Sequence, residues 1–213
     1  MEEIYKECIK IPGYTDIREL RFLYHWAKTL LEKRKYLKIV EVGSFWGRTA
    51  ALFSLVDENR VTVYAIDSWS GYCTDIYNFL KKNKNEISNI NEYFKYLIQT
   101  NIPIENAKNC IENFKFYTRN YKNIIPVKAY SPHDFYNKWN EEIDIFFLDA
   151  SHKNPNDWEN IEFWMKFIRK GGILCGHDYN TLHFPDVVSN VEKLKKILNQ
   201  NPEIVYSLWK FDL

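Results

Sequence analysis

The chain predicts an α/β domain on a doubly wound, mostly parallel sheet with helices on both faces. Three observations carry this reading. From Lys38 onward, short β-branched apolar runs alternate with helical stretches, the order that builds a parallel sheet. The runs are apolar on both faces, as strands covered by helices on each side must be. Glycine is sparse: of seven, Gly43, Gly47, Gly71, Gly171, Gly172 and Gly176 lie in or beside predicted strand ends, where turn geometry or a close ligand demands them.

The elements follow in order. Asp16 with Glu19 three residues later makes a helix start. Ile17, Leu20, Leu23, Ala27, Leu30 and Leu31 then recur at helical spacing up to the basic cluster near Arg34. Residues 1–37 therefore supply N-terminal helices that pack before the core. Strands are predicted over 38–42, 61–66, 123–127, 143–148 and 172–175, with a helix over 49–56 after the first. Residues 75–122 are too long for a simple connection. Helices around 92–99 and 106–117 are expected there, either covering the carboxyl edge of the sheet as a substrate lid or ornamenting the surface. Asp157, Glu159 and Glu162 read as a solvated helix face. A last helix near 186–198 leads to a single closing strand near 204–211. No repeat or low-complexity linker divides the chain, so residues 1–213 read as one domain with a Rossmann-like core in 38–74 and 123–213.

Composition excludes several classes. With 29 basic and 28 acidic residues the formal net charge is +1, which offers no field to draw in nucleic acid or an anionic membrane. Cys8, Cys73, Cys110 and Cys175 are scattered without a C-x-x-C pair. That argues against a zinc knuckle or a disulfide framework and reads as four reduced thiols. The start, Met1-Glu-Glu-Ile-Tyr-Lys-Glu, is charged where a signal peptide needs an apolar core, and no segment approaches the roughly 20 apolar residues of a membrane span. A cytoplasmic protein with a small-molecule partner is expected, and a homo-oligomer stays open.

Two neighbouring sites are written in the strand ends. Val42-Gly43-Ser44-Phe45-Trp46-Gly47 leaves the first strand and opens a helix. Gly43 permits the sharp turn and Gly47 lets a ligand lie against backbone, at the switch point where doubly wound sheets bind ligands. The spacing lacks the G-x-G-x-x-G that seats a pyrophosphate, which favours a nucleoside without a diphosphate. Glu41, in an otherwise apolar strand, needs either backbone N–H groups or a cofactor ammonium. Asp67, followed by Ser68 and Trp69, ends the second strand and can grip both ribose hydroxyls. Further on, an apolar run carries Asp149 to its carboxyl end with His152 three residues beyond, and the next strand ends in His177-Asp178. If those strands adjoin, Asp149, His177 and Asp178 make an oxygen-rich site for Mg²⁺, with Mn²⁺ admitted by the imidazole. Such a metal would lower the pKa of a bound hydroxyl, and His152 would take its proton. The plainer alternatives are a structural histidine and a loop-capping aspartate.

The series Val-Glu41-Val-Gly43-Ser-x-x-Gly47, Ala-Ile-Asp67-Ser-Trp69, Phe-Leu-Asp149-Ala-Ser-His152 and Gly-His177-Asp178-Tyr179 resembles the S-adenosylmethionine-dependent methyltransferases. The resemblance is to the branch that includes macrolide-sugar and rhamnosyl O-methyltransferases and, more distantly, the catechol O-methyltransferases. It runs from about Lys38 to Tyr179. It implies that the turn from Gly43 through Ser44 to Gly47 cradles the methionine part of S-adenosylmethionine, with Thr49 near its carboxylate. Asp67, Ser68 and Trp69 then fall at the ribose, Ser131 at the adenine, and Asp149 beside the cofactor. Asp149, His177 and Asp178 match the metal positions, His177 standing where an acid is usual. His152 matches the general base. The implied activity is methylation of a hydroxyl on a small sugar-like or polyhydroxylated acceptor. Two rivals remain: a small nicotinamide-dependent dehydrogenase, disfavoured by the missing G-x-G-x-x-G, and a non-catalytic partner subunit with a degenerate site.

Overall fold

In the computed structural model, which describes residues 2–70 and 110–213, the strands form one seven-stranded sheet. The N-terminal part is α1 (Glu2–Ile9), α2 (Ile17–Glu32), β1 (Leu37–Val42), α3 (Arg48–Ser54) and β2 (Val61–Asp67). The remainder is α4 (Cys110–Thr118), β3 (Ile124–Lys128), β4 (Ile143–Leu148), α5 (Asn156–Trp164), β5 (Ile168–Gly176), α6 (Pro185–Leu198), β6 (Glu203–Val205) and β7 (Leu208–Asp212). The strand order is β3-β2-β1-β4-β5-β7-β6, parallel from β3 to β5 and antiparallel at β7 and β6. The chain therefore reverses its winding between β1 and β4, and a crevice opens at their carboxyl ends. The expected helix around 92–99 lies outside the described residues, as do residues 106–109 of the second expected insert helix, whose described part is α4.

Strand alternation divides the core into two layers. Ile39, Val63, Ala65, Ile145 and Phe147 face α1, α2 and α3, with Leu20, Leu23, Ala27 and Leu31 packed on them. Val40, Val42, Ile66, Phe146, Leu148 and Leu174 face α5 and α6, where fully buried Trp164 stacks on Phe146 at 5.8 Å between ring centres. Helix α2 begins in the expected capping box: Asp16 accepts the N–H of Arg18 and Glu19 at 2.7 and 3.1 Å, and Glu19 Oε2 accepts the Asp16 N–H at 3.0 Å. A cap of this kind is worth about 1 kcal/mol.

Two expectations fail here. The single closing strand is a hairpin, β6 and β7, reversed at Tyr206 (φ 56°) and Ser207 without any glycine, proline or asparagine to announce the turn. Cys8 and Cys175 are buried free thiols, but Cys110 is disulfide-bonded, against the reading of four reduced thiols. No helix among the described residues is long and apolar enough to cross a membrane.

Candidate active site

The carboxyl ends of β1, β2, β4 and β5 meet at the crevice. Gly43 (φ 94°) and Gly47 (φ 93°) bound the turn between β1 and α3, and Phe45 between them also has a left-handed backbone (φ 46°). Both glycines are needed, but for packing against protein. A Cβ on Gly43 would lie 1.8 Å from the Asp149 carbonyl oxygen, and one on Gly47 would lie 2.5 Å from Thr118 Cγ2 in α4. At Gly47 it is helix α4 that lies against the position a Cβ would take.

Glu41 is completely buried one residue before the turn's entry. The hydroxyl of Thr49, the residue expected near the cofactor's carboxylate, donates to its Oε1. Burial pushes the Glu41 carboxyl up to about 7; the nearby Ser44 and Thr49 hydroxyls oppose this and the Asp67 charge adds to it. Glu41 Oε2 and Ser44 Oγ are both buried, near enough for the hydroxyl to ease the carboxylate's charge, yet neither makes a well-formed hydrogen bond. Unpaired buried polar atoms cost about 1–3 kcal/mol each, so two at one turn mark a place that expects polar company. An amino-acid ammonium and carboxylate would satisfy both.

Asp67 clasps the two loops together. Its Oδ2 accepts the Phe45 N–H at 2.9 Å and its Oδ1 the Trp69 N–H at 2.7 Å, while Trp69 Nε1 donates to the Phe45 carbonyl at 2.6 Å. Burial raises the Asp67 pKa against these N–H groups. Each carboxylate oxygen keeps a lone pair for a ribose hydroxyl. Ser68 Oγ accepts the Ser70 N–H at 3.3 Å. The hydroxyl of Ser131, the residue expected at the adenine, donates to Asn160 Oδ1 at 2.5 Å and accepts from Trp164 Nε1 at 2.9 Å, both in α5.

Across the crevice, Asp149, His152 and Asp178 each offer a ligand atom, all within 4.8 Å of one another. His152 Nε2 lies 2.8 Å from Asp178 Oδ2 and 3.1 Å from Asp149 Oδ1. His152 (φ 57°) and Asp178 (φ 62°) both hold left-handed backbones, a local cost of about 1 kcal/mol or more each that clusters at functional sites. The loop is held by Asp157 in α5, which accepts the His152 N–H at 3.1 Å and the Ser151 hydroxyl at 3.3 Å. Asp157 is only 3% exposed, so its assignment to a solvated face is overturned; burial raises its carboxyl to about 6. Burial likewise lowers the His152 pKa, opposed by the Asp178 charge, which keeps the imidazole neutral near pH 7.

His177, expected among the metal donors, stands behind the two carboxylates. Its Nδ1 is 3.4 Å from Asp178 Oδ1 and 3.9 Å from Asp149 Oδ1, outside hydrogen-bonding geometry. Its Nε2 is 3.2 Å from Glu19 Oε2, a residue read from sequence only as part of a helix cap. Burial by itself lowers the His177 pKa, but Asp149, Asp178 and Glu19 outweigh it and hold the imidazolium well above the usual histidine range. Burial raises the Asp149 pKa, eased by His177 and reinforced by Asp178. This concentration of negative charge around a short gap suits a divalent cation as well as it suits a proton.

A family model described as a methyltransferase domain matches residues 40–179, about two thirds of the chain. Among curated proteins none matches the sequence. Solved structures share the fold at low identity. The O-methyltransferase NovP aligns with a TM-score of 0.62 at 14% identity, covering 92% of this chain and 80% of its own. CalS11, a TDP-rhamnose 3′-O-methyltransferase of calicheamicin biosynthesis, aligns at 0.58 with 11% identity over 94% of this chain and 80% of its own. A precorrin-8w decarboxylase from Methanobacterium thermoautotrophicum also aligns, at 0.53 with 15% identity over 86% of this chain and 74% of its own, so the fold by itself does not name the reaction. The match over 40–179 takes in both strand-end sites, the turn at Gly43 and the Asp149–Asp178 cluster; the chain belongs to the methyltransferase domain family and is an S-adenosylmethionine-dependent methyltransferase.

Proposed function

We propose that the chain methylates a hydroxyl of a small sugar-like or polyhydroxylated acceptor, with a divalent cation, Mg²⁺ or Mn²⁺, assisting. The observation that carries this is the convergence of Asp149, His152 and Asp178 on one gap across the crevice from the glycine turn. The likeness to CalS11, whose acceptor is a TDP-linked rhamnose, supports a sugar-like acceptor.

Glu41 Oε2 and Ser44 Oγ would hold the amino-acid end of the cofactor, and Asp67 the ribose. The cofactor would supply an electrophilic methyl group, its thioether being the leaving group. Asp149 and Asp178 would hold the cation, which lowers the pKa of the hydroxyl bound beside it. With Asp149 and Asp178 turned to the cation, Nε2 of the neutral His152 would be released from them and could accept the hydroxyl proton. Near-linear placement of oxygen, methyl carbon and sulfur supplies much of the remaining acceleration, and the rigid ends of β1 and β4 set that placement.

Calorimetry with S-adenosylmethionine, followed by methyl transfer to a panel of nucleotide sugars with Mg²⁺ or Mn²⁺ present, tests the reading. Binding followed by transfer to a sugar hydroxyl is expected. Absence of binding at millimolar cofactor sinks the first step, and transfer that is indifferent to chelator removes the cation.

A further inference from the structure

The buried pair formed by Glu19 and His177 joins residues 158 positions apart and has no part in the chemistry described so far. Glu19 is 5% exposed and His177 6%. All of the carboxylate's contacts are donors turned toward it. Oε2 takes the Asp16 N–H at 3.0 Å and faces His177 Nε2 at 3.2 Å; Oε1 takes the Ser207 N–H at 3.3 Å and the Ser207 hydroxyl. Three donors besides His177, the Asp16 N–H and the Ser207 N–H and hydroxyl, turn on this one buried carboxylate, an arrangement that suits its ionised form. An ionised carboxylate only accepts hydrogen bonds. His177 Nε2 therefore carries a hydrogen, an assignment that follows from the network.

With Nε2–H committed to Glu19, only Nδ1 is left to face the site. Nδ1 is buried, lies 3.4 Å from Asp178 Oδ1 and 3.9 Å from Asp149 Oδ1 without a well-formed hydrogen bond, and would give up its proton to a cation bound in that gap. An imidazole whose far N–H is anchored on a carboxylate while its near nitrogen faces other anionic donors has the arrangement of a metal-ligating histidine. Ser207 Oγ, 3.0 Å from Nε2, ties the β6–β7 turn to the same point.

We propose that Glu19 is a positioning residue for the cation site, reaching from the first turn of α2 to fix His177 with Nδ1 turned toward Asp149 and Asp178. The inference rests on the metal-assisted reading above and adds to it a specific source of order. The acid absent from position 177 is supplied one step further back, from the N-terminal helix, and α2 and the C-terminal hairpin become parts of the site.

The test uses the full chain and Mn²⁺ as probe, with Glu19→Ala, Glu19→Gln and Glu19→Asp, the last serving where Glu19→Ala does not fold. Mn²⁺ affinity measured by calorimetry is expected to fall at least tenfold in Glu19→Ala or Glu19→Asp. It is expected to fall less in Glu19→Gln, whose amide oxygen still accepts the Nε2–H. Nitrogen-15 spectra of the histidine side chains in metal-free wild type should show a hydrogen on His177 Nε2, kept in Glu19→Gln and lost in Glu19→Ala. S-adenosylmethionine affinity, measured in parallel, should stay within about twofold throughout. Wild-type Mn²⁺ affinity in Glu19→Ala or Glu19→Asp overturns the proposal, as does a wild type whose His177 carries no hydrogen on Nε2 or that binds no Mn²⁺. Loss of S-adenosylmethionine binding in the wild type is a different result and strikes the functional reading itself.

Discussion

Glu41→Gln separates what the buried carboxylate costs the fold from what it offers a ligand. Burial moves the Glu41 pKa from 4.5 to about 7. At about 1.4 kcal/mol per unit, that shift is worth about 3 kcal/mol between the protonated and ionised forms. The sign follows from the direction of the shift. A carboxyl raised in the folded state leaves stability intact below the unfolded value of 4.5 and removes it as pH rises through about 7. Glutamine keeps the shape and the acceptor for Thr49 without titrating. The variant should therefore match wild type near pH 4.5 and exceed it above pH 8, by up to about 3 kcal/mol, or several degrees in midpoint for a chain of this size. A glutamine NH₂ without an acceptor makes this a ceiling.

With S-adenosylmethionine the order should reverse. The cofactor ammonium would meet Oε2 only in wild type, and a hydrogen bond between charged groups is worth about 1.5–3 kcal/mol. Calorimetry at pH 8 should then show Glu41→Gln binding on the order of tenfold to a hundredfold more weakly. Thermal unfolding at pH 4.5, 6.5 and 8.5, with and without cofactor, checks both halves. If the variant is no more stable than wild type at pH 8.5, the carboxylate is not penalised by its surroundings; if it binds cofactor equally well, Oε2 does not face the ligand.

His152→Ala should leave cofactor affinity nearly unchanged and cut turnover on the order of a hundredfold or more. It should also abolish the acid limb of the kcat/KM profile, which in wild type lies below the usual histidine range because burial lowers that pKa. Asp157→Ala strands the His152 N–H and should destabilise the protein at pH 4 by about 1–3 kcal/mol. That cost should shrink above pH 6, because wild type itself loses stability as its raised carboxyl ionises there; urea unfolding at both pH values decides.

The parts of the molecule legible in sequence are those set by local pattern. Apolar runs predicted β1 to β5 to within a few residues: the inner parallel strands are covered on both faces, while the edge strand β3 keeps its run although Ile125 and Pro126 are exposed. The start of α2 was readable because Asp16 and Glu19 satisfy each other within one turn. The β6–β7 reversal was hidden because Tyr206 adopts its left-handed backbone without a residue type that favours it. Asp157 was misread for a more instructive reason. An acid in the first turn of a helix is the usual surface complement to the helix dipole, and nothing in its spacing distinguishes that from an acid turned back to hold a loop. The one available signal was distance along the chain: Asp157 is five residues from His152, close enough for a first-turn side chain to reach the loop backbone.

Glu19 shows why the site itself was only half visible. Its oxygens satisfy the N–H of Asp16, as the sequence predicted, and also engage His177 and Ser207, 158 and 188 residues away. A helix-capping acid exposed to solvent would look identical in sequence, since periodicity reports which face of α2 is buried but not what the chain brings against it. The strand-end motifs located Asp149, His152 and Asp178 because parallel strands deliver their carboxyl ends to one edge. The groups that orient those residues come instead from helix termini and a hairpin turn, whose meeting is decided by the packing of α2 and β7 around β5. Donors placed by topology are therefore readable from one sequence, whereas their supports, placed by packing, emerge only with the fold.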